Sequence, residues 1–364
     1  MDQILGQDRA VAQLDAALAS GRIHHAYVFH GPVGVGKFTT AVAFARVMLC
    51  YEPQTKPNHR ACGSCPSCRL FASAQGAQAK PTHPDLHIIT KELARYSDDA
   101  LIRQRKLLTI PVNVLRSALI DPVYRAAQLQ HHKLFIVDEA ELLDLRGQNI
   151  LLKTLEEPPE QTTIILVTCT LHMLLPTIRS RGQGVGFLPL PYETVVGWLD
   201  DKDFSTTDHR QWVAEFAEGS LGRAQLAMDY DLYPWGRALD TALAQMAEKK
   251  FDVDTGKTMS GLIDAFAKQW GDRHEGASKE AANKQGAGLM WSVIGQIARR
   301  QLRVTAHAHG MNGDQQSGPW LSVIDALTQA EQELTANVNL TLVCDHLASL
   351  LHRALTTAQP ARGG

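Results

Sequence analysis

The chain has 364 residues, a formal net charge of −2 and 45% apolar residues. That length exceeds one ordinary domain and predicts two or three, each with enough apolar side chains for a core. The near-neutral charge does not mark the whole chain as a nucleic-acid binder, although local basic patches stay open, and no apolar run approaches the roughly 18 residues needed to cross a bilayer.

In chain order, "DRAVAQLDAALA" (8–19) places Val11, Leu14 and Leu18 at helical spacing. The start of the chain is amphipathic and acid-bearing, unlike a signal peptide, so a cytoplasmic protein with no membrane partner is expected. Its six cysteines would then stay reduced. "AYVFHGP" reads as a short buried strand entering a turn, and "GKFTTAVAFARVMLC" as a helix with Val42, Phe44, Ala45 and Met48 available for packing. Residues 51–85, rich in Pro, Cys, Gln and Ala, look like an insertion. "DLHIIT" is a strand candidate, and "VNVLRSALIDPVYRAAQ" a helix broken near Pro122. "HHKLFIVDEAELL" is a buried strand ending in two acids, "GQNILLKTLEEPP" a helix stopped by Pro158 and Pro159, and "TTIILVTCT" a further buried strand. Strands alternating with helices predict a parallel, doubly wound sheet. After "GFLPLP" the strand signals stop. Residues 191–245 read as short helices and 246–364 as long ones, broken near 271–286 and 309–319. The last helix carries Leu340, Val343, Leu347, Leu350 and Leu351 on one stripe, and the tail "TTAQPARGG" is expected to be disordered.

Four motifs carry chemistry. "GPVGVGK" offers Gly31, Gly34 and Gly36 followed by Lys37, between a strand and a helix. Glycines let backbone N–H groups curl around phosphate oxygens, the helix start adds positive potential, and lysine adds a point charge. A plain glycine-rich turn is the alternative. The next position, where a magnesium-binding hydroxyl is needed, holds Phe38. Thr39 is one residue late, about 100° around the helix, and should point away from a metal. "LFIVDEAE" puts Asp138 and Glu139 at a strand tip, where Asp can hold magnesium through water and Glu can orient an attacking water. Solvated acids ending a strand are the alternative.

"CYEPQTKPNHRACGSCPSC" supplies Cys50, Cys62, Cys65 and Cys68, four thiolates suited to a tetrahedral structural zinc. Free thiols or a redox motif remain open, and His59 could replace Cys50 as a ligand. Cys169 and Cys344 lie in apolar elements and read as core residues. In "LLPTIRSRG", Arg179 and Arg181 flank Ser180; they are solvated rim arginines, or one of them reaches a neighbouring subunit's phosphate site.

Together, "ILGQDRAVAQL", "HHAYVFHGPVGVGK", the cysteine cluster, "HPDLHII", "KLFIVDEAELL", "NILLKTLEEPP" and "LLPTIRSR" resemble the clamp-loader branch of the AAA+ ATPases, in order, over residues 4–190. The resemblance implies an AAA+ α/β domain at 1–190 with a zinc module near 50–70, a helical lid at 191–245 and an all-α collar at 246–364. It further implies a ring of gamma/tau motor subunits and a delta subunit that opens a sliding clamp and places it on primer-template DNA. Within it, Arg181 would act in trans as a finger beside Ser180, Thr168 would be the sensor ending a core strand, and ATP or ADP with Mg²⁺ would be the nucleotide. Three departures stand out: Phe38, Gly182 in place of the cysteine usual after Ser-Arg, and Gly222 in "GSLGRA" where a motor subunit has its sensor arginine, with Arg223 one step off. The first and third argue against a motor subunit and for a partner with little ATPase. A motor-type ATPase is the first alternative. The second is a module whose cysteine knuckle contacts nucleic acid, for which Arg60, Arg69, Tyr51 and Phe71 are scant support.

Overall fold

A computed structural model describes residues 4–54, 59–72, 81–96, 109–129, 132–273, 278–309 and 314–356. The tail from 357 onward and parts of the 51–85 insertion lie outside these residues. The described chain forms two compact units, Met1–Lys202 with Ala217–Arg223, and Asp203–Phe216 with Ala224–Gly364.

In the first unit, strands β1 (Ala26–His30), β2 (Leu86–Ile89), β3 (Lys133–Val137), β4 (Thr162–Thr168) and β5 (Gln183–Gly186) form one sheet in the order β2-β3-β4-β1-β5, all pairs parallel. The apolar runs alternate between two cores. Tyr27, Phe29, Leu134, Ile136, Ile165 and Val167 face α1 (Asp8–Ser20) and α2 (Lys37–Met48). Val28, Phe135, Val137, Ile164 and Leu166 pack in a second cluster. That cluster is covered by α4, α5 (Leu145–Glu156) and α6 (Pro176–Arg181). Here α3 is Pro66–Ala72, and α4 runs from Val112–Leu115 through a π-helical stretch, Arg116–Ile120, into Asp121–Val123. Burial on both faces is what continuous apolar strands require of a parallel sheet.

Local chemistry sets the ends of these elements. Asp144 caps α5 by accepting from Gly147 N at 2.7 Å, and Pro158 and Pro159 follow its last turn. Buried Lys133 donates to the carbonyls of Pro122, Val123 and Arg125, satisfying the end of α4. Strand β5, a glycine-rich stretch with no strand signature, is strand by virtue of its pairing with β1. Helix α2 follows β1 onto one face and α5 follows β3 onto the other, so their loops diverge above the carboxyl end of β4. That is the crevice where open α/β sheets bind ligands.

The second unit is helical. Helices α7 (Tyr192–Leu199), α8 (Thr207–Ala217) and α9 (Leu221–Asp229) lead to α10 (Tyr233–Ala247), α11 (Thr255–Arg273), α12 (Lys279–His309), α13 (Asp314–Thr335) and α14 (Leu340–Thr356). Of these, α7 belongs to the first unit, and the second takes helices from both sides of residue 245. Val343, Cys344, Leu347, Leu351 and Leu355 of α14 are buried in this bundle. Its partners α10, α11 and α13 contribute Leu239, Leu243, Ile263, Phe266, Val323 and Ala330. Cys344 is a core residue as expected, its thiol pushed up to about 12 by burial. No helix of the described residues is long and apolar enough to cross a membrane.

The first unit holds several histidines below their ordinary pKa. His132, beside the Thr163 hydroxyl at 2.9 Å, is pushed down to about 4 by burial, and burial also lowers His83 and His87. Groups depressed in the folded state leave the unfolded chain holding more protons, so the stability they confer is present above about pH 6.5 and is lost as pH falls from there toward 4. The urea midpoint should therefore drop between pH 7.5 and pH 5, and His132→Gln should flatten part of that drop; an unchanged midpoint would contradict this reading.

Candidate functional site

Strand β1 ends at His30 and the chain turns through Gly31, Gly34 and Gly36, with φ of 146°, 74° and 98°. Gly36 caps α2, whose first residue is Lys37. Lys37 is buried, and its ammonium donates to Gly31 O at 2.7 Å and Pro32 O at 2.5 Å. Burial lowers its pKa, opposed by Cys169, Glu141 and Asp138, which face it. His30, beside it, is lowered by burial and by the Lys37 charge.

Phe38 packs, partly buried, against the α2-side core, while Thr39 is exposed. The only hydroxyl buried here belongs to Thr40 among the described residues of α2, and it is spent on Gly36 O at 2.8 Å.

The two acids of the strand tip separate. Asp138 stays by Lys37 and accepts from Glu139 N at 3.1 Å. Glu139 adopts a left-handed backbone (φ 51°) and pairs with Lys91 at 2.8 Å. The acid that the turn returns to Lys37 is Glu141. Its Oε1 accepts from the Cys169 thiol at 2.6 Å and from Cys169 N at 3.2 Å. Burial raises the Glu141 carboxyl, but hydrogen bonds from Cys169 and Thr168 outweigh it and leave the pKa lowered. Thr168, buried at the end of β4, accepts from Thr170 N at 3.0 Å. Cys169 is not the core residue expected: β4 ends at Thr168, so the next residue emerges at the rim and is exposed. The sequence signal for Glu141 was its place one short turn beyond the strand tip, legible only once Glu139 is known to reverse the chain.

The loop is also held from the start of α9. Gly222 N donates to Gly34 O at 2.9 Å. A Cβ on Gly34 would lie 2.3 Å from Ser220 Oγ, and one on Gly222 only 2.8 Å from Gly34 Cα. Backbone thus meets backbone, and no side chain fits where a sensor arginine would stand. Arg223 points elsewhere, to Glu218 at 2.6 Å.

The sulfurs of Cys50, Cys62, Cys65 and Cys68 all lie within 4.8 Å of one another. Cys50–Cys65 is 4.0 Å and Cys62–Cys68 is 3.9 Å, close to the ~3.8 Å between thiolates around a tetrahedral zinc at its usual bond length. Backbone N–H groups of Cys65 and Ser64 lower the Cys62 thiol to about 6, whereas burial raises Cys68 to about 12. His59 turns to Asp15 at 3.6 Å, so it does not stand in for Cys50. The cluster is tied to the sheet domain by Ser67, which donates to Leu49 O at 2.6 Å and meets His83 at 3.0 Å. Far from these groups in sequence, Arg181 ends α6, paired with Glu156 at 2.8 Å. Arg179 is exposed and, among the described residues, has no ion pair.

A parallel sheet with a glycine loop after β1, an acid after β3 and a buried threonine ending β4, followed by a helical unit, defines an AAA+-type P-loop protein. The family model described as "DNA polymerase III, delta subunit" matches residues 6–191. The chain belongs to this DNA polymerase III subunit family. It is 30% identical over 232 residues to DNA polymerase III subunit delta' of Escherichia coli, covering 64% of this chain and 63% of that protein. It is 35% identical over 194 residues to subunit gamma/tau of Mycobacterium tuberculosis, covering 53% of this chain and 29% of that one. The chain therefore spans less than two thirds of either relative. A Thermotoga maritima gamma subunit-related protein covers 94% of this chain and 99% of its own, at 16% identity and a TM-score of 0.40.

Close backbone contact at Gly222 makes a direct forecast. Gly222→Ala should lower stability by about 1–3 kcal/mol through overpacking, while Gly197→Ala, where nothing lies within 4 Å, should be neutral or slightly stabilising. Urea denaturation of both variants decides; equal midpoints would refute the contact.

Proposed function

We propose that this chain is the delta-prime-type member of a cytoplasmic clamp loader. In this reading it sits in a ring with gamma/tau motor subunits and a delta subunit, and helps open a sliding clamp and place it on primer-template DNA. The observation that carries it is the state of the chain's own phosphate site. Gly31, Gly34, Gly36 and Lys37 suit the phosphates of ATP or ADP. The Mg²⁺ site does not fit, because Phe38 has no ligand atom where the metal-binding hydroxyl is needed; separately, a Cβ at Gly222 would already lie 2.8 Å from Gly34 Cα, which disfavours a sensor arginine there. Binding without turnover is therefore the role assigned to this loop, with Asp138 and Thr168 as remnants of the metal and sensor positions. Glu139 is spent on Lys91. The lid at 191–245 and the collar at 246–364 are proposed as the parts that follow the neighbours' movement and hold the ring. Similarity to gamma/tau at 35% identity keeps the motor-type reading as the competitor.

The chemistry is then next door. Arginine is always charged, and its planar fork can hold two phosphate oxygens at once. Arg181, at a helix end on the rim of the sheet domain and half-exposed, is proposed to reach a neighbour's gamma-phosphate. The zinc assigned to Cys50, Cys62, Cys65 and Cys68 is structural, since four thiolates close the coordination sphere and leave no open position.

Two measurements test this. Metal analysis of protein purified without added zinc should give one zinc per chain, lost together with local folding in Cys65→Ser; a stoichiometry near zero contradicts the assignment. In the reconstituted complex, Arg181→Ala should leave assembly intact and lower ATPase by on the order of 10³-fold at the site it serves, Arg181→Lys should rescue poorly, and Arg179→Ala should be silent. An unaltered rate for Arg181→Ala leaves it a solvated rim arginine.

A further inference from the structure

Arg181 does not hang free. Its Nη2 meets Glu156 Oε1 at 2.8 Å and its Nη1 donates to Thr177 O at 3.0 Å, one turn back on its own helix. Glu156 is the last residue of α5, and α5 and α6 pack together through Leu151, Leu155 and Ile178 in one core cluster. Glu157, Pro158 and Pro159 follow at once, so the backbone leaving Glu156 has little freedom.

Nothing about local stability explains the carboxylate. A negative charge on the last turn of a helix opposes its dipole. The pair is 36% and 48% exposed, and an exposed ion pair of this kind contributes little to folding. Its effect is geometric. The two contacts use one hydrogen of each terminal guanidinium nitrogen and leave the others available, so the arginine is anchored from behind without being consumed. A long side chain that would otherwise sample many rotamers is held in one arrangement against the ends of α5 and α6.

We propose that Glu156 is the positioning residue for Arg181. It holds the guanidinium in the direction from which it meets a neighbour's phosphate, so that ordering the side chain is not left to the reaction step. This rests on the finger reading of Arg181 given above. It adds a residue that touches neither nucleotide nor reacting atoms, and a consequence that a passive surface pair would not have: the effect of Glu156 must vanish when Arg181 is absent.

The test is a double-variant cycle in the complete complex, reconstituted with its motor and delta subunits, with ATPase followed in the presence of clamp and primed DNA. Glu156→Ala should lower kcat by about 3- to 10-fold, the loss expected of a misdirected rather than missing group, with KM for ATP unaltered. Glu156→Gln, which keeps an acceptor oxygen, should recover most of it. Glu156→Ala combined with Arg181→Ala should match Arg181→Ala alone. All variants should assemble and melt as the parent does. If Arg181→Ala slows the complex but Glu156→Ala leaves the rate unaltered or raises it, the positioning role is overturned and the finger stands. A further loss in the double variant, beyond Arg181→Ala, overturns it in favour of a structural role. If Arg181→Ala itself is without effect, the finger reading and the positioning role fall together.

Discussion

A buried positive charge organises one edge of the sheet in this protein. Lys37 is forced inward because it opens α2 directly beneath a loop of left-handed glycines, and a buried ammonium must be matched. Two carbonyls of its own loop, Gly31 and Pro32, accept from it, while Asp138 and Glu141 answer its charge. The parallel sheet makes this possible by ending β1 and β4 side by side, His30 opposite Thr168, while β3 stops two residues short at Val137 and leaves room for the turn that carries Asp138 and Glu141. Burial first, and then the Lys37 charge, lower the pKa of neighbouring His30.

What the site lacks is as localised as what it has. Phe38 turns one helical position from ligand into core packing, and it does so without disturbing the lysine beside it. Gly222 brings the start of α9 against Gly34 so closely that a Cβ there would lie 2.8 Å from Gly34 Cα. Both positions leave the glycine turn and the buried lysine in place. A loop of this kind serves as a fixed surface, while the arginine at the end of α6 is anchored by Glu156 on the outside of the same domain.

Much of this was legible in the sequence. Strands β1, β3 and β4 are unbroken apolar runs, α5 has its Pro-Pro stop, and the spacing of four cysteines foretold their convergence. The misses have physical causes. Strand β5 is "QGVG", a composition that reads as a turn, and its pairing energy comes from β1, which lies far away in the chain. Cys169 looked like core because it follows seven buried residues, but one residue past a strand end the direction is outward. Glu141 was hidden behind Glu139, whose left-handed backbone sends the nearer acid to Lys91 and brings the farther one home. Glu156 carries no local signal, because it matters through its contact with Arg181, distant in sequence; Gly222 stood out in the sequence, but its contact with Gly34 did not.

The central claim is that this chain keeps the phosphate loop as architecture and leaves hydrolysis to its neighbours. Steady-state ATP hydrolysis by the purified chain, beside its Lys37→Ala variant, tests it most directly. The account predicts a rate at background for both proteins, with Phe38→Thr returning at most a small part of the activity because Gly222 still excludes an arginine. Robust hydrolysis by the parent chain that disappears in Lys37→Ala would contradict it and make this protein a motor in its own right.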